Sequence, residues 1–222
     1  MLEGLKILLN ALITAGPKLY GLYREEQQEE KIIELLESCF LLRDLVQTAE
    51  ELLELVKDKN EINFQELDLK ELEELYSIVQ AKLTIQLQRL QRLGDIFMSN
   101  PTIDLLDTNI KENLKNAIGG KEEGLFTIGA ALFFHQIFGC TGKQNETESE
   151  RISRVVKEKY EFAGSILSAD KFSLTEQRAI LDEIKNLQAQ YLSVLDNVLE
   201  ANHKLILASK AEELAAKCGV RK

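Results

Sequence analysis

Proline and glycine are scarce in this chain, which has two prolines and 12 glycines among its 222 residues. A fold built mainly of strands needs many tight turns, and such turns draw on glycine and proline. The chain is rich instead in Leu, Glu, Lys, Gln and Ala, which lose little conformational freedom on entering a helix. The composition therefore argues against a β fold and predicts an all-α fold in a single domain, residues 1–222.

Residues that commonly carry catalysis or bind metals are also few, since the chain has two histidines, no tryptophan and three cysteines. Cys39, Cys140 and Cys218 are widely separated and form no Cys-x-x-Cys pair, a usage typical of a reducing compartment such as the cytoplasm. Cys39 falls on an apolar helical stripe and is predicted to be a core residue. The other two are expected at helix ends.

The most suggestive metal-binding fragment is Glu200-Ala-Asn-His203, a Glu-x-x-His pair one helical turn apart. Di-iron carboxylate bundles use this spacing, but they need two such pairs and two further glutamates. The second histidine, His135, has no glutamate three residues before it. His135 and Cys140 lie close in sequence, but no third group completes a nucleophilic site. We predict no catalytic residue, no metal and no cofactor, and therefore a non-enzymatic protein.

Positive charge is scarce relative to negative charge, and the formal net charge is −10 with an isoelectric point near 4.9. Nucleic-acid binding needs a concentrated basic face, and the sequence has none. Nucleic acid is therefore not an expected partner. An anionic membrane surface is disfavoured for the same reason, although insertion of an apolar element would not depend on charge.

The most apolar stretch is GLFTIGAALFFHQIFG, from Gly124 to Gly139. A helix here would be apolar all round and must be buried. Its length of about 21 Å falls short of the roughly 30 Å of hydrocarbon in a bilayer, which favours a short buried core helix over a membrane span. It would form the second arm of a hydrophobic helical hairpin over residues 101–140. The candidate surface for interaction or insertion in this stretch is Leu125, Phe126, Ile128, Phe133, Phe134, Ile137 and Phe138.

Hydrophobic residues at alternating spacings of four and three predict three long helices, near residues 18–57, 66–99 and 173–216. A short amphipathic helix over residues 1–17 is expected to end near Gly16 and Pro17. The first long seam is Ile32, Leu35, Cys39, Leu42, Val46, Ala49, Leu53 and Val56. The third runs through Ile180, Ile184, Leu187, Tyr191, Val194, Val198, Ala201, Leu205 and Ala208. Together they predict an elongated antiparallel helical bundle.

The second long helix carries two further signals. Gln86 interrupts its apolar seam, and one polar residue at such a position often fixes the register of helix pairing. The helix is acidic through Glu74 but mildly basic from Lys82 to Arg92. We therefore expect its second half to face the acidic first long helix in an antiparallel pair.

These features favour a protein–protein interaction module, an adaptor, regulator or assembly subunit that binds a protein partner or forms a homo-oligomer through amphipathic helix seams. The alternative is a membrane-active protein of the pore-forming or cell-death effector type, which stores the apolar 124–139 element until release. A third hypothesis is an apolar ligand held among the Phe side chains.

Overall fold

The computed structural model describes residues 2–61, 69–98, 112, 115–116, 118–119, 147, 154 and 174–218. The α-helices that can be delimited within these ranges are α1 (Leu2–Glu25), α2 (Glu29–Glu61), α3 (Leu69–Met98), α4 (Leu174–Val198) and α5 (Ala208–Lys217). A π-helix, His203–Leu207, leads directly into α5. No strand occurs within these ranges. The predicted all-α fold is confirmed.

Helix α2 lies at the centre of the described helices, because α1, α3, α4 and α5 all pack on it. Its predicted seam is buried along its whole described length, at Ile32, Leu35, Cys39, Leu42, Val46, Ala49 and Leu53. A second row is also buried, at Ile33, Leu36, Leu41 and Leu45. A helix with apolar residues on two adjoining faces needs more than one neighbour, and α2 has four.

Helix α1 continues through Pro17, where the sequence analysis predicted its end. Proline removes one backbone hydrogen bond from a helix interior. The apolar stripe nevertheless continues beyond it, and Leu19, Tyr20 and Tyr23 are buried in the core. Burying a large apolar side chain contributes roughly 1.5–3 kcal/mol, so three of them outweigh the proline penalty of about 3 kcal/mol.

The polar tract after α1 contains a turn, and the predicted unbroken helix over 18–57 is wrong at this point. Gln27 has a positive φ of 55°. The N–H of Gln28 donates to the Tyr23 carbonyl at 2.7 Å, and the N–H of Gln27 donates to the Arg24 carbonyl at 3.1 Å. This pair of bonds is the Schellman arrangement that ends many helices. It reverses the chain, so that α2 returns along α1.

Helix α3 pairs antiparallel with α2 through its basic second half, as predicted. Lys82 pairs with Glu51, and Arg92 reaches Glu37 through two hydrogen bonds of 2.8 and 2.7 Å. Partner numbers on α2 fall as those on α3 rise, which defines the antiparallel direction. The buried apolar residues of α3 lie nearer its end, at Leu90, Leu93, Ile96 and Phe97.

Helices α4 and α5 do not form the continuous helix predicted over 173–216. Helix α4 runs antiparallel to α2, with Arg178 on Glu54 and Lys185 on Glu50. The chain then turns at Leu199 and Glu200. Helix α5 runs back along α2, where Glu212 binds Arg43 at 2.8 Å. The predicted hairpin over 101–140 and its short apolar helix lie outside the described residues, and the single-domain organisation stays a prediction.

Candidate interaction site at the turn between α4 and α5

All seven residues predicted as an interaction or insertion surface, Leu125 to Phe138, lie outside the described part of the chain. Among the helices that are described, none combines the length and the hydropathy needed to cross a bilayer. The feature that stands out within the described ranges is instead the turn that joins α4 to α5. Sequence reasoning did not single out this turn.

Tyr20 of α1 holds the turn in place. Its hydroxyl oxygen accepts the backbone N–H of Glu200 at 3.0 Å and lies 2.9 Å from Nδ1 of His203. The Tyr20 and His203 rings also meet edge to face, with centroids 5.8 Å apart. The Glu200 N–H precedes a new helical segment and has no intrahelical acceptor, so the tyrosine supplies the partner that a capping residue would otherwise provide.

The Glu-x-x-His fragment serves this structural arrangement. The Glu200 carboxylate pairs with Arg24 at 2.7 Å, while His203 contacts Tyr20. No group of three or more His, Cys, Asp or Glu side chains with metal-site geometry occurs in the described part of the chain. Both residues therefore bind α1, and together they anchor the turn to the first helix.

Aliphatic side chains are concentrated on the outside of the turn. Seven large hydrophobic side chains are exposed among the described residues, and four of them lie between positions 192 and 206. Leu205 and Ile206 are the most exposed of all, at 76% and 65%, and both belong to the π-helix. π-helical turns recur at functional sites in proteins, because they displace side chains from the regular α-helical register.

The predicted third seam fails at this turn. It placed Val198, Ala201 and Leu205 on the inner face, but all three are exposed. The buried positions after the turn are instead Leu207, Ala211 and Ala215. The predicted seam assumes that one helix continues without a break. Here the chain reverses direction and then forms a π-helix, so a different set of residues faces the core.

An apolar groove lies on the inner side of the turn, over α2. Its volume is about 390 Å³, within the range of small-molecule and side-chain pockets. Its apolar lining comes from α2, from the end of α4, from the turn and from the start of α5, at Leu36, Cys39, Phe40, Leu192, Leu195, Leu199 and Ala208. Its polar lining is Ser193, Asp196 and Lys204.

The charges around the groove are balanced. Asp196 and Lys204 form an ion pair of 2.9 Å across the turn. On the α2 side, Arg43 lies 5.0 Å from the centre of the Phe40 ring and binds Glu212. The two charged residues of the groove lining, Asp196 and Lys204, therefore neutralise each other, although the whole chain carries a net charge of −10.

Cys39, in the groove lining, is not poised for chemistry. Its side chain is 2% exposed, and burial raises the pKa of its thiol to about 12. The thiolate is the nucleophilic form of cysteine, and such a pKa keeps it negligible at neutral pH. The predicted core role of Cys39 is thus confirmed. Cys218 is half-buried at the end of α5, and burial raises the pKa of its thiol as well.

Comparison of the chain with protein-family models, with curated proteins and with solved structures finds no match. The interpretation of the turn therefore depends on its own geometry. Exposed aliphatic side chains beside an apolar groove with a neutral margin can bind another apolar surface. The local sequence offered one weak signal for the turn, because Asn197 and Asn202 on either side of it are poor helix formers.

Proposed function

We propose that this chain is a non-enzymatic helical protein–protein interaction module, an adaptor, regulator or assembly subunit, and that it binds an amphipathic helix of a protein partner at the α4–α5 turn. The observation that carries the proposal is the placement of Leu205 and Ile206 at the surface by a π-helix, next to an apolar groove. Single exposed aliphatic residues are common on protein surfaces, but a concentration of them beside a groove marks a contact surface.

The anchoring of the turn supports this function. Tyr20 joins α1 to both Glu200 and His203, and Arg24 adds an ion pair to the Glu200 carboxylate. A surface held by contacts to a neighbouring helix loses little conformational freedom when a partner binds, which favours affinity. The turn is therefore built as a fixed platform for its exposed side chains.

The groove indicates the chemistry of the partner. Its lining is mostly aliphatic, and the two charged residues in the lining, Asp196 and Lys204, form an ion pair. A strongly basic or strongly acidic segment would gain little from this margin, because the charges cancel. A helix with an aliphatic stripe, flanked by residues of both signs, fits this surface best.

Site-specific photo-crosslinking tests the proposal. A photoreactive amino acid replaces Leu205 in the full chain, and irradiation is carried out in cells that make the protein. The control position is Ile78 on α3, which is also exposed, at 44%. We expect a covalent protein adduct from position 205 and none from position 78. We also expect the adduct to disappear when Leu192→Glu places a charge in the groove lining.

Equal labelling from the two positions, or no adduct from either, would contradict the proposal. If position 205 gives the expected adduct, mass spectrometry of that adduct identifies the partner protein. Thermal unfolding of the Leu192→Glu chain, followed by circular dichroism, controls for a folding defect, and substitution of this exposed residue is expected to leave the transition within a few degrees of the parent chain.

A further inference from the structure

We infer that the partner helix bound at the α4–α5 turn carries lysine or arginine residues at one end of its aliphatic stripe. That end lies against the acidic turn between α1 and α2, which consists of Glu25, Glu26, Glu29 and Glu30. This inference rests on the proposed function, and it names the charge pattern of the partner at the same site. It depends on where the acidic turn lies and on how its charges are compensated.

The acidic turn lies beyond one end of the groove. Glu29 precedes Leu36 of the groove lining by seven residues, about two helical turns, so both lie on the same face of α2. The distance along the helix is about 10 Å. Arg24, next to Glu25, binds Glu200 of the α4–α5 turn at 2.7 Å. A helix that lies in the groove along α2 therefore points one end at these carboxylates.

The negative charge of the acidic turn is not compensated within the described part of the chain. Its four carboxylates are exposed, and none of them pairs with a basic side chain of a described residue. The two nearest bases have other partners, because Arg24 binds Glu200 and Lys31 binds Glu34, both at 2.7 Å. The surface is thus negative beyond the end of the groove, whereas the charged pair in the groove lining is neutral.

Helix stability accounts for only half of the acidic turn. Glu29 and Glu30 lie in the first turn of α2, where the helix dipole favours negative charge. Glu25 and Glu26 lie at the C-terminal end of α1, where the dipole disfavours negative charge. Like charges within so short a segment also repel one another. A basic partner removes both of these unfavourable terms, and this is the reason for assigning the acidic turn to binding.

The groove and the acidic turn fit different parts of the partner helix. Over the groove, the aliphatic lining and the Asp196–Lys204 pair favour an apolar stripe without an excess of charge. Beyond Leu36, the carboxylates attract lysine or arginine, which accelerates association and fixes the direction in which the helix lies. Because these carboxylates are exposed, salt screens their attraction over about 10 Å at 0.1 M.

Fluorescence anisotropy with three synthetic peptides and the full chain tests the inference. The peptides share one leucine stripe at helical spacing, and they differ only at one end, which carries lysines, glutamines or glutamates. We expect the lysine peptide to bind about tenfold more tightly than the glutamine peptide, and the glutamate peptide to bind most weakly. Sodium chloride should remove most of this difference, and Leu192→Glu should weaken the binding of all three peptides.

Two double variants separate the acidic turn from the overall net charge of −10. Glu26→Gln/Glu29→Gln should weaken binding of the lysine peptide about fivefold and leave binding of the glutamine peptide unchanged. Asp182→Asn/Glu183→Gln is the matched control, since it removes two exposed charges from α4 at about 20 Å from Asp196. It should leave both affinities unchanged. Thermal unfolding followed by circular dichroism checks that both variants fold.

The outcomes separate this inference from the proposed function. Equal affinity of the lysine and glutamate peptides overturns the inference, and it leaves the interaction module in place if Leu192→Glu still weakens both. Equal losses in the two double variants also overturn the inference, because the attraction would then come from net charge alone. Absence of binding by every peptide overturns the inference too, whereas an adduct from position 205 would in that case still support the proposed function.

Discussion

The two sides of α2 are built from different chemistry. Toward α1 and α4, the contact is made by aliphatic and aromatic side chains, including Leu9, Leu12 and Tyr191, each no more than 1% exposed. Toward α3, buried apolar residues are interleaved with a ladder of charges, in which Arg92 binds a Glu37 that is itself only 2% exposed. Ion pairs also join α4 to α2, at Arg178–Glu54 and Lys185–Glu50, but those four side chains are 38–60% exposed. The α3 side differs because it buries a charged group, the Glu37 carboxylate.

The difference teaches how stability and register are divided in this fold. The stabilisation that comes from apolar burial depends on the buried area, and only weakly on the register in which two helices pack. Ion pairs in a partly buried interface contribute little net stability, since the cost of removing charges from water offsets their attraction. They nevertheless penalise a wrong register heavily. Gln86, fully buried with a long 3.5 Å contact to the Leu45 carbonyl, belongs to the same register-setting ladder.

The largest loss of stability is expected when one partner of the buried α2–α3 ion pair is removed and the other is kept. Arg92→Leu leaves the Glu37 carboxylate buried without its partner, so the free energy of unfolding should fall by about 3 kcal/mol. Urea unfolding followed by circular dichroism measures this loss. The double variant Glu37→Leu/Arg92→Leu should lie within about 1 kcal/mol of the parent chain, because neither charge remains buried. Equal losses in the single and double variants would show that packing, and not charge, sets the α2–α3 interface.

A smaller effect is expected on the apolar side, at Gly16. A Cβ atom added there would lie 2.8 Å from Cε2 of Tyr191, whose ring is fully buried and cannot easily move aside. Gly16→Ala gains about 1 kcal/mol in helix propensity but incurs an overpacking cost of up to about 3 kcal/mol. We expect a net loss of about 2 kcal/mol in urea unfolding. Gly21→Ala is the control, because nothing lies within 4 Å of its added Cβ, and it should stabilise the chain. The packing claim is wrong if the two variants shift stability in the same direction.

Tyr20 and Tyr191 are both buried, and they differ in whether the side-chain hydroxyl makes a hydrogen bond. The Tyr191 hydroxyl lies beside Ser38 and Cys39 but makes no hydrogen bond to a described residue, and burial raises its pKa well above the usual value. Tyr191→Phe should therefore leave the free energy of unfolding unchanged or slightly higher. Tyr20→Phe removes the acceptor for the Glu200 N–H and should cost about 1 kcal/mol. Thermal unfolding of both variants measures the contrast, and a larger loss for Tyr191→Phe would contradict it.

The smallest effect is a pH dependence on the charged side. The hydrogen bond from Lys82 lowers the pKa of Glu51 below its ordinary 4.5. A lowered carboxyl pKa stabilises the fold above the unfolded value, and this contribution is lost as pH falls through the folded pKa. Glu51→Gln should thus reduce stability by about 0.5 kcal/mol at pH 7, because the pair is exposed and screened. The difference should shrink as pH falls from the unfolded value of 4.5 and vanish below the folded pKa of Glu51. A difference that grows on acidification would refute the assignment.

Much of α2 and α3 could be predicted from sequence, because their partners follow from local periodicity and charge. The seam from Ile32 to Leu53 is buried as predicted, and the sign change along α3 correctly indicated its antiparallel pairing with α2. Both signals depend only on which residues recur on one face of an unbroken helix.

The turns could not be predicted in the same way. The end of α1 depends on a positive φ at Gln27, a residue type with no preference for that conformation. The α4–α5 turn depends on Tyr20, which lies 180 residues before the Glu200 N–H that it accepts. Contacts between residues so far apart leave no periodic signal in the sequence. The candidate site was missed for this reason, and the predicted surface at 124–139 lies outside the described residues.

Methyl NMR of the full chain, recorded as a titration with the partner that crosslinks to position 205, tests the central claim most directly. If the α4–α5 turn is the contact surface, the methyl resonances of Leu192, Leu205 and Ile206 should shift together as the partner is added. Those of Ile7 and Ile78, exposed at 42% and 44%, should remain fixed. Shifts confined to Ile7 or Ile78, or the absence of any shift across the titration, would contradict the claim.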